Sequence, residues 1–505
     1  MRRTVLFALI VLSQAAWAQK PATVDRWQPT RDAAERFLKE RGVAGVAVAV
    51  AKDGKIIWEE GFGWANREKM IPATPNTMFS LASISKPITA TGLMTLVQRG
   101  QIKLDQPAND YLGVGKLTGL AGDASGATVR RVLSHTAGLP LHYQFFYANE
   151  ATRRAPTMDE TIARYGILVT APGETFQYSN LGFGIIDYII SRASGMAFAD
   201  FMRTRVFLPL GMTHTSIDIA PGLEPYAAER YWPSNQKPVS FYTFDHVGAS
   251  AVWSSAHDLV RFGMFHLKNR LPDQRAILAD SSIDEMKKPV HEAFGAEYAL
   301  GWVVHRNQRG RPLIEHSGGM PGVSTILNLY PSDNVVITVL TNGSLGWGSV
   351  ADEAASAVLP GYADSLKAER ARAKPPEPAK FTAPAELIGT WTGTIRTWAK
   401  TLPFELEMRP DGKVEVQLGE PIKPGFDPGP PKQLRALVNG VSYEKGSLEG
   451  RFAGTIPTPD VDWVPHTIAL DLHLVNGVLR GSASAQTGND PVFYSVASYV
   501  ELRKR

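Results

Sequence analysis

Ser83 and Lys86 stand three residues apart in the stretch Phe79-Ser80-Leu81-Ala82-Ser83-Ile84-Ser85-Lys86. On a helix that spacing is about one turn, so hydroxyl and amine share a face and can touch. A free serine is a poor nucleophile, and a desolvated lysine beside it supplies the missing base. Ile88, Leu93, Met94, Leu96 and Val97 continue with helical spacing up to Gly100, a residue suited to a left-handed C-cap. Pro87 falls in the first turn, where no helical hydrogen bond is lost. The Ser83 amide is therefore expected at the positive end of a helix dipole, where an oxyanion is stabilised.

The same spacing recurs at Ser234–Lys237 and Ser442–Lys445, where nothing else points to chemistry, so spacing alone reads as a solvated pair. Context singles out Ser83. Tyr178-Ser179-Asn180 follows Pro172-Gly173 and precedes Leu181-Gly182, a setting that the similarly spaced Tyr147-Ala148-Asn149 lacks. His316-Ser317-Gly318-Gly319 lies between the strand-like Leu313-Ile314 and Met320-Pro321-Gly322.

A Ser-x-x-Lys, a Tyr-x-Asn and a Lys/His-x-Gly element in that chain order resemble the penicillin-recognising serine hydrolases. Within them the chain is similar to the class C β-lactamase-like branch, which also holds esterases, D-aminopeptidases and D,D-carboxypeptidases. Leu133-Ser134-His135-Thr136-Ala137-Gly138-Leu139 and residues 248–262 look like further stretches of that branch. The resemblance covers about residues 30 to 360. It implies an α/β (α+β) fold of the β-lactamase/transpeptidase type: an antiparallel sheet flanked by helices, an all-helical region beside it, and the site between them.

The resemblance also implies roles. Ser83 attacks a carbonyl and forms an acyl-enzyme that water releases. Lys86 and Tyr178 share the proton work, and which of them takes the Ser83 proton stays open. A phenol near an ammonium can have its pKa lowered toward neutrality, which would let Tyr178 act as a phenolate. Asn180 hydrogen-bonds Lys86 and the acyl amide of the substrate. The amides of Ser83 and Gly319 form the oxyanion hole, each donor worth roughly 3 kcal/mol of barrier, and Gly318 lets the strand come close to substrate. His316 departs from the pattern, since β-lactamases and D,D-peptidases carry lysine there to hold a carboxylate. A mostly neutral imidazole attracts a carboxylate far less. Esters, or amides and short peptides without that carboxylate, are expected as substrates ahead of penicillins; Ser317 keeps a hydroxyl donor. His135 is expected to serve turn architecture.

The surrounding chain fits this reading. Its 505 residues call for two or three domains, and a net charge of +4 without a basic block gives nucleic acid no purchase. Arg2-Arg3, the apolar run from Val5 to Leu12 and Ala16-Trp17-Ala18 read as a cleavable signal peptide over residues 1–18, too short to span a bilayer. An exported bacterial protein, periplasmic or extracellular, with no transmembrane segment after cleavage is expected. The absence of cysteine excludes disulfides and thiolate sites. No histidine–carboxylate pair shows metal-ligand spacing, so neither metal nor cofactor is expected. Oligomeric state is not legible.

Asp53-Gly54 between residues 43–51 and 56–62 signals a hairpin, and residues 128–267 read as mostly helical. Strands are expected at 323–329 and 335–340 around a Pro331–Asn334 turn, with a closing helix at 350–358. The hydrolase domain is expected over 19–365, with a proline-rich extended linker at 366–384. Residues 385–505 carry short alternating runs, which argue an all-β domain, a small barrel with a lipocalin-like first strand at Glu386–Trp391. No polar cluster in those strands suggests cargo, so a cap or gate is expected of it. Two rival functions are a catalytically dead relative and an envelope-binding protein acting through the C-terminal domain. The joint presence of Ser83, Lys86, Tyr178 and His316 speaks against the first.

Overall fold

A computed structural model describes residues 25–149, 154–343, 346–372, 381–419, 434–459, 466–487 and 493–505. The signal-peptide segment lies outside the described residues. No helix among those described is long and apolar enough to cross a membrane.

Val46, Val48 and Val50 alternate with Ala47, Ala49 and Ala51 in the strand Gly45–Lys52, and that alternation sorts the two faces of the main sheet. The valines join a core with Ala33, Ala34 and Phe37 of the helix Gln28–Arg41 and with Val350, Ala351, Ala354 and Ala355 of the helix Gly348–Val358. The alanines face the helix Ala256–His266, which packs close because Gly263 has no side chain: a Cβ there would meet Val336 Cγ1 at 2.4 Å. Burying each valine contributes roughly 1.5–3 kcal/mol.

The sheet is antiparallel and runs through nine strands. Its spatial order is His291–Ala293, Ala296–Tyr298, Val303–Gln308, Arg311–Met320, Val323–Tyr330, Val335–Thr341, Gly45–Lys52, Lys55–Asn66 and Ile71–Pro72. The Asp53-Gly54 turn has both residues at positive φ (49° and 71°), as a tight hairpin requires. The stretch 128–267 is helical with interruptions: the helices Met158–Tyr165, Asn180–Ser194 and Ala256–His266 alternate with short strands at Tyr143–Tyr147, Thr215–Ile217, Tyr242–Phe244 and Val252–Ser254.

The linker reading needs correction. The helix Tyr362–Arg372 runs through the expected linker start, because Tyr362 and Leu366 are buried against the helix Gly348–Val358. Residues 373–380 lie outside the described residues.

The C-terminal region is a nearly closed, barrel-like antiparallel sheet. Its order begins Leu434–Leu437, Val414–Leu418, Thr401–Met408, Gly389–Arg396 and continues Tyr494–Lys504, Val478–Thr487, Thr467–Val475, Ser447–Ala453, Asn439–Glu444. Its interior is packed by Leu387, Trp391, Leu406, Val416, Phe452, Leu472 and Leu502.

Candidate active site

Between Thr77 and Leu96 every residue is buried except Ser83. The fully packed helix Ser85–Gln98 holds the serine from below, and Ser83 itself lies in the 3-10 turn Ala82–Ile84 that feeds the helix. Its amide thus stands at the helix's positive end. Ala82, immediately before it, has φ 49°, a left-handed conformation that costs a non-glycine residue about 1–2 kcal/mol. Neighbouring strands hold the turn in that state. The Leu81 amide donates to Val252 O at 2.9 Å, Thr325 Oγ1 donates to Leu81 O at 2.9 Å, and Val252 N donates to Ser85 Oγ at 3.0 Å.

Lys86 is fully buried, and Nζ lies 3.1 Å from Ser83 Oγ, 2.8 Å from Asn180 Oδ1 and 3.2 Å from Ala249 O. Among the described residues no carboxylate pairs with it, and burial holds its pKa well below the usual lysine value of 10.5. Nζ donates to all three, and loss of its proton, which burial favours, would leave two N–H donors and a lone pair for the Ser83 hydroxyl. Asn180 is the first residue of the helix Asn180–Ser194, capped by Ser179, whose hydroxyl accepts from Gly182 N at 3.2 Å. The Ala249 carbonyl is fixed through its neighbour Gly248, whose amide donates to buried Asp187.

Tyr178 is braced by His135. The His135 carbonyl accepts from Gln177 N at 2.7 Å, and its Nδ1 accepts from Ser179 N at 3.1 Å, so the two bonds bracket the tyrosine. The rings lie 4.4 Å apart, and His135 takes the left-handed φ of 59° that the bracket requires. Lys86 Nζ sits 4.7 Å from the Tyr178 ring centroid. Burial works against the expected phenolate: it drives the Tyr178 pKa above its ordinary value of 10.0, with the Ser83 hydroxyl acting weakly the other way. The same desolvation lowers the Lys86 pKa and so disfavours the ammonium that was to lower the phenol.

The strand Arg311–Met320 closes the site from the other side. Ser83, Asn180 and Gly319 line one cleft of about 580 Å³ with Tyr143, Phe145, Trp232, Met320 and Phe493. Nothing stands within 4 Å of where a Gly319 Cβ would be, so that backbone faces the open cleft. Gly318 serves a different purpose from the one expected. A Cβ there would lie 2.0 Å from Leu81 O, so its bareness admits the nucleophile turn rather than substrate.

His316 is also not where substrate would meet it. It is buried, its Nδ1–H donates to Ser317 O at 2.7 Å, and its Nε2 accepts from the Tyr298 hydroxyl at 3.1 Å. Burial and nearby Lys86 push its pKa down to about 3, so it is neutral, and neither nitrogen is left for a substrate. Ser317 is exposed and is not among the residues lining the cleft. The structure therefore brings together Ser83, Lys86, Tyr178, Asn180, Gly318 and Gly319, places His316 behind them, and leaves Ser317 outside.

Residues 30–359 match the sequence profile of the family described as beta-lactamase. The chain belongs to the beta-lactamase family. Penicillin-binding protein 4* of Bacillus subtilis (strain 168) is 29% identical over 330 residues, 60% of this chain and 69% of that protein. Protein flp of Staphylococcus aureus (strain N315) is 26% identical over 327 residues, 63% of this chain and 64% of that protein, so less than two thirds of its length is spanned. The fold is shared with an octameric penicillin-binding protein homologue from Pyrococcus abyssi (TM-score 0.57, 20% identity, 94% of this chain and 99% of that one). It is shared also with a beta-lactamase/D-alanine carboxypeptidase from Pseudomonas syringae (TM-score 0.56, 20% identity, 66% of this chain and 99% of that one).

In this beta-lactamase-family chain the lysines of the other serine–lysine spacings, Lys237 and Lys445, are exposed, unlike Lys86. Ser234 lies at the exposed rim of the cleft, and Lys445 pairs with Glu292 at 2.7 Å. Tyr147 packs at 5.2 Å against Tyr242. One cluster escaped the sequence because one member, His142, lies 103 positions before Asp245 and its neighbour His246. His142, Asp245 and His246, all buried, place one ligand atom each within 4.8 Å of the others, a spacing that a metal ion accepts. His142 Nε2 and His246 Nδ1 each donate to Asp245 at 2.7 Å, and the outer nitrogens, His142 Nδ1 and His246 Nε2, have no partner among the described residues. A metal ion would displace both bridging protons onto those outer nitrogens, where no acceptor stands. The array therefore fits a proton-bridged carboxylate better than a metal centre. Asp187 was likewise missed, although a lone aspartate on an otherwise apolar helix was a visible signal.

Proposed function

We propose that this chain is an exported serine hydrolase that cleaves uncharged esters, or amides, through an acyl-enzyme on Ser83. The observation that carries this reading is buried, unpaired Lys86 at 3.1 Å from the only solvent-reaching residue of its segment. Neutral Lys86 takes the Ser83 proton as Oγ attacks the carbonyl carbon, and the amides of Ser83 and Gly319 receive the oxyanion. The proton then passes to the leaving group, its bond to carbon breaks, and the acyl-enzyme remains. Water repeats the sequence with the same base and releases the acid. Protonated Tyr178, beside Ser83, supports proton delivery to the leaving group as a donor rather than as a phenolate.

Substrate class follows from charge. Among the described residues no lysine, arginine, aspartate or glutamate lines the cleft, and His316 is neutral and engaged, which supports uncharged esters over carboxylate-bearing β-lactams. Export rests on the N-terminal signal-peptide pattern. A panel of short-chain esters, D-amino-acid amides, D-Ala-D-Ala peptides and nitrocefin tests the reading. Esters should give the highest kcat/KM, and faster turnover of nitrocefin than of every ester would overturn the preference.

A further inference from the structure

The strand Tyr143–Tyr147 joins the two parts of the chain. On one side it pairs with Tyr242–Phe244, and on the other Gln144 and Tyr143 pair with Tyr494 and Ser495 of the last barrel strand. Phe145 N also donates to Phe493 O at 3.2 Å. Because alternate residues of a strand share a face, Tyr143 and Phe145 point the same way, and the Phe493 ring stacks against both. Its centroid lies 5.2 Å from each, at interplanar angles of 27° and 21°. Phe145 is stacked in turn on Tyr242 at 4.8 Å. All three rings of this group that reach the cleft line it together with Ser83.

The barrel also grips the loop that carries Tyr178. Gln177 Nε2 donates to Asp471 Oδ2 at 3.1 Å and contacts His473 Nε2 at 3.2 Å, and Arg480 reaches both oxygens of Glu174 at 2.9 and 2.8 Å. A fixed stack of aromatic faces beside a nucleophile, in a cleft whose described lining carries no lysine, arginine or carboxylate, offers a flat apolar surface to one kind of ligand.

We infer that the C-terminal barrel completes the catalytic cleft, and that Phe493 with Tyr143 and Phe145 forms an aromatic wall selecting substrates with a planar apolar group beside the scissile carbonyl. The inference rests on Ser83 being the nucleophile. It deepens that reading, because it assigns specificity to a residue more than 400 positions away in the chain.

The test uses the full chain and two ester series followed by proton release. In one the acyl group changes from acetyl to phenylacetyl on a methyl ester, and in the other the alcohol changes from methyl to benzyl on an acetate. The parent should prefer the aromatic member of at least one series by about tenfold or more in kcat/KM. Phe493→Ala should reduce that ratio about tenfold, and Tyr143→Leu should reduce it in the same series. Phe493→Leu keeps most of the apolar volume without the ring, so it decides the matter if the alanine variant does not fold. A parent without preference in either series, or variants whose ratios stay within about twofold of the parent, overturns the aromatic wall while leaving Ser83 in place. A parent whose turnover survives Ser83→Ala overturns the nucleophile and this inference with it.

Discussion

The bare Cα of Gly318 faces the carbonyl oxygen of Leu81, two residues before the nucleophile. A Cβ at 318 would lie 2.0 Å from that oxygen and 2.4 Å from Thr325 Oγ1, the hydroxyl that holds the same carbonyl. The strand that supplies Gly319 and the turn that supplies Ser83 are thus in backbone contact, which fixes the two proposed oxyanion donors against each other. Gly318→Ala should push the turn out of register. We expect kcat/KM to fall about 100-fold, as displacements near 1 Å do elsewhere, with a lowered melting temperature. Circular dichroism and ester kinetics on the purified variant check both.

Lys86→Met should inactivate the protein and stabilise it. The unfolded chain binds a proton at Lys86 up to about pH 10.4, whereas the folded site releases it well below that value. Between the two pKa values the unfolded state carries more protons, so this lysine destabilises the fold at neutral pH, and least toward alkaline pH. An apolar side chain of similar length removes the penalty. We expect a melting temperature higher by roughly 2 °C or more, with turnover lowered at least about 1,000-fold. A variant less stable than the parent would contradict a net cost of burying Lys86, the loss of its bonds to Asn180 and Ala249 then outweighing the relief.

Asp187 offers a pH test of the scaffold behind Lys86. Burial raises its pKa to about 8 although Gly248 N donates to it. The folded state then binds a proton that the unfolded carboxylate, with a pKa of about 3.9, does not. Stability from this group should fall as pH rises from about 4 to 8. Asp187→Asn keeps an acceptor for Gly248 and carries no charge. Urea titrations should show a gain in stability at pH 8 that vanishes near pH 4.

How much of this was legible depended on distance along the chain. Ser83 and Lys86 are neighbours on one helix turn, and Tyr178 and Asn180 on one cap, so their spacing carried their geometry. The hairpin at Asp53-Gly54 and the strands around Pro331–Asn334 were equally local. The state of the site was not. Whether Lys86 is charged depends on burial by Asn180, Ala249 and Phe183, and what His316 touches depends on Tyr298 in another strand. The bareness of Gly318 suggests room for substrate in the sequence, which cannot show that Leu81 comes from behind. The pairing of Gln144 with Tyr494 crosses the proline-rich segment, and no periodicity in either strand announces it.

His316 separates a packing role from a charge role. His316→Gln can still accept from Tyr298 and donate to the Ser317 carbonyl, and should keep activity within about tenfold. His316→Lys would bury an ammonium beside Lys86. We expect a loss on the order of 3 kcal/mol in stability and no gain toward nitrocefin. A well-folded His316→Lys protein with raised nitrocefin kcat/KM would show instead that the side chain reaches the substrate.

Neutral Lys86 acting on Ser83 is most directly tested by the pH dependence of covalent capture. The parent is treated with a small fluorophosphonate, and intact mass and peptide mapping follow the rate at each pH. We expect a single adduct on the Ser83 peptide, forming at a rate that levels off well below the usual lysine value of 10.5 and falls in acid as Lys86 takes up its proton. A rate that keeps climbing through the alkaline range would point to a Tyr178 phenolate instead. An adduct on Ser234 or Ser442 would contradict the assignment of the nucleophile itself.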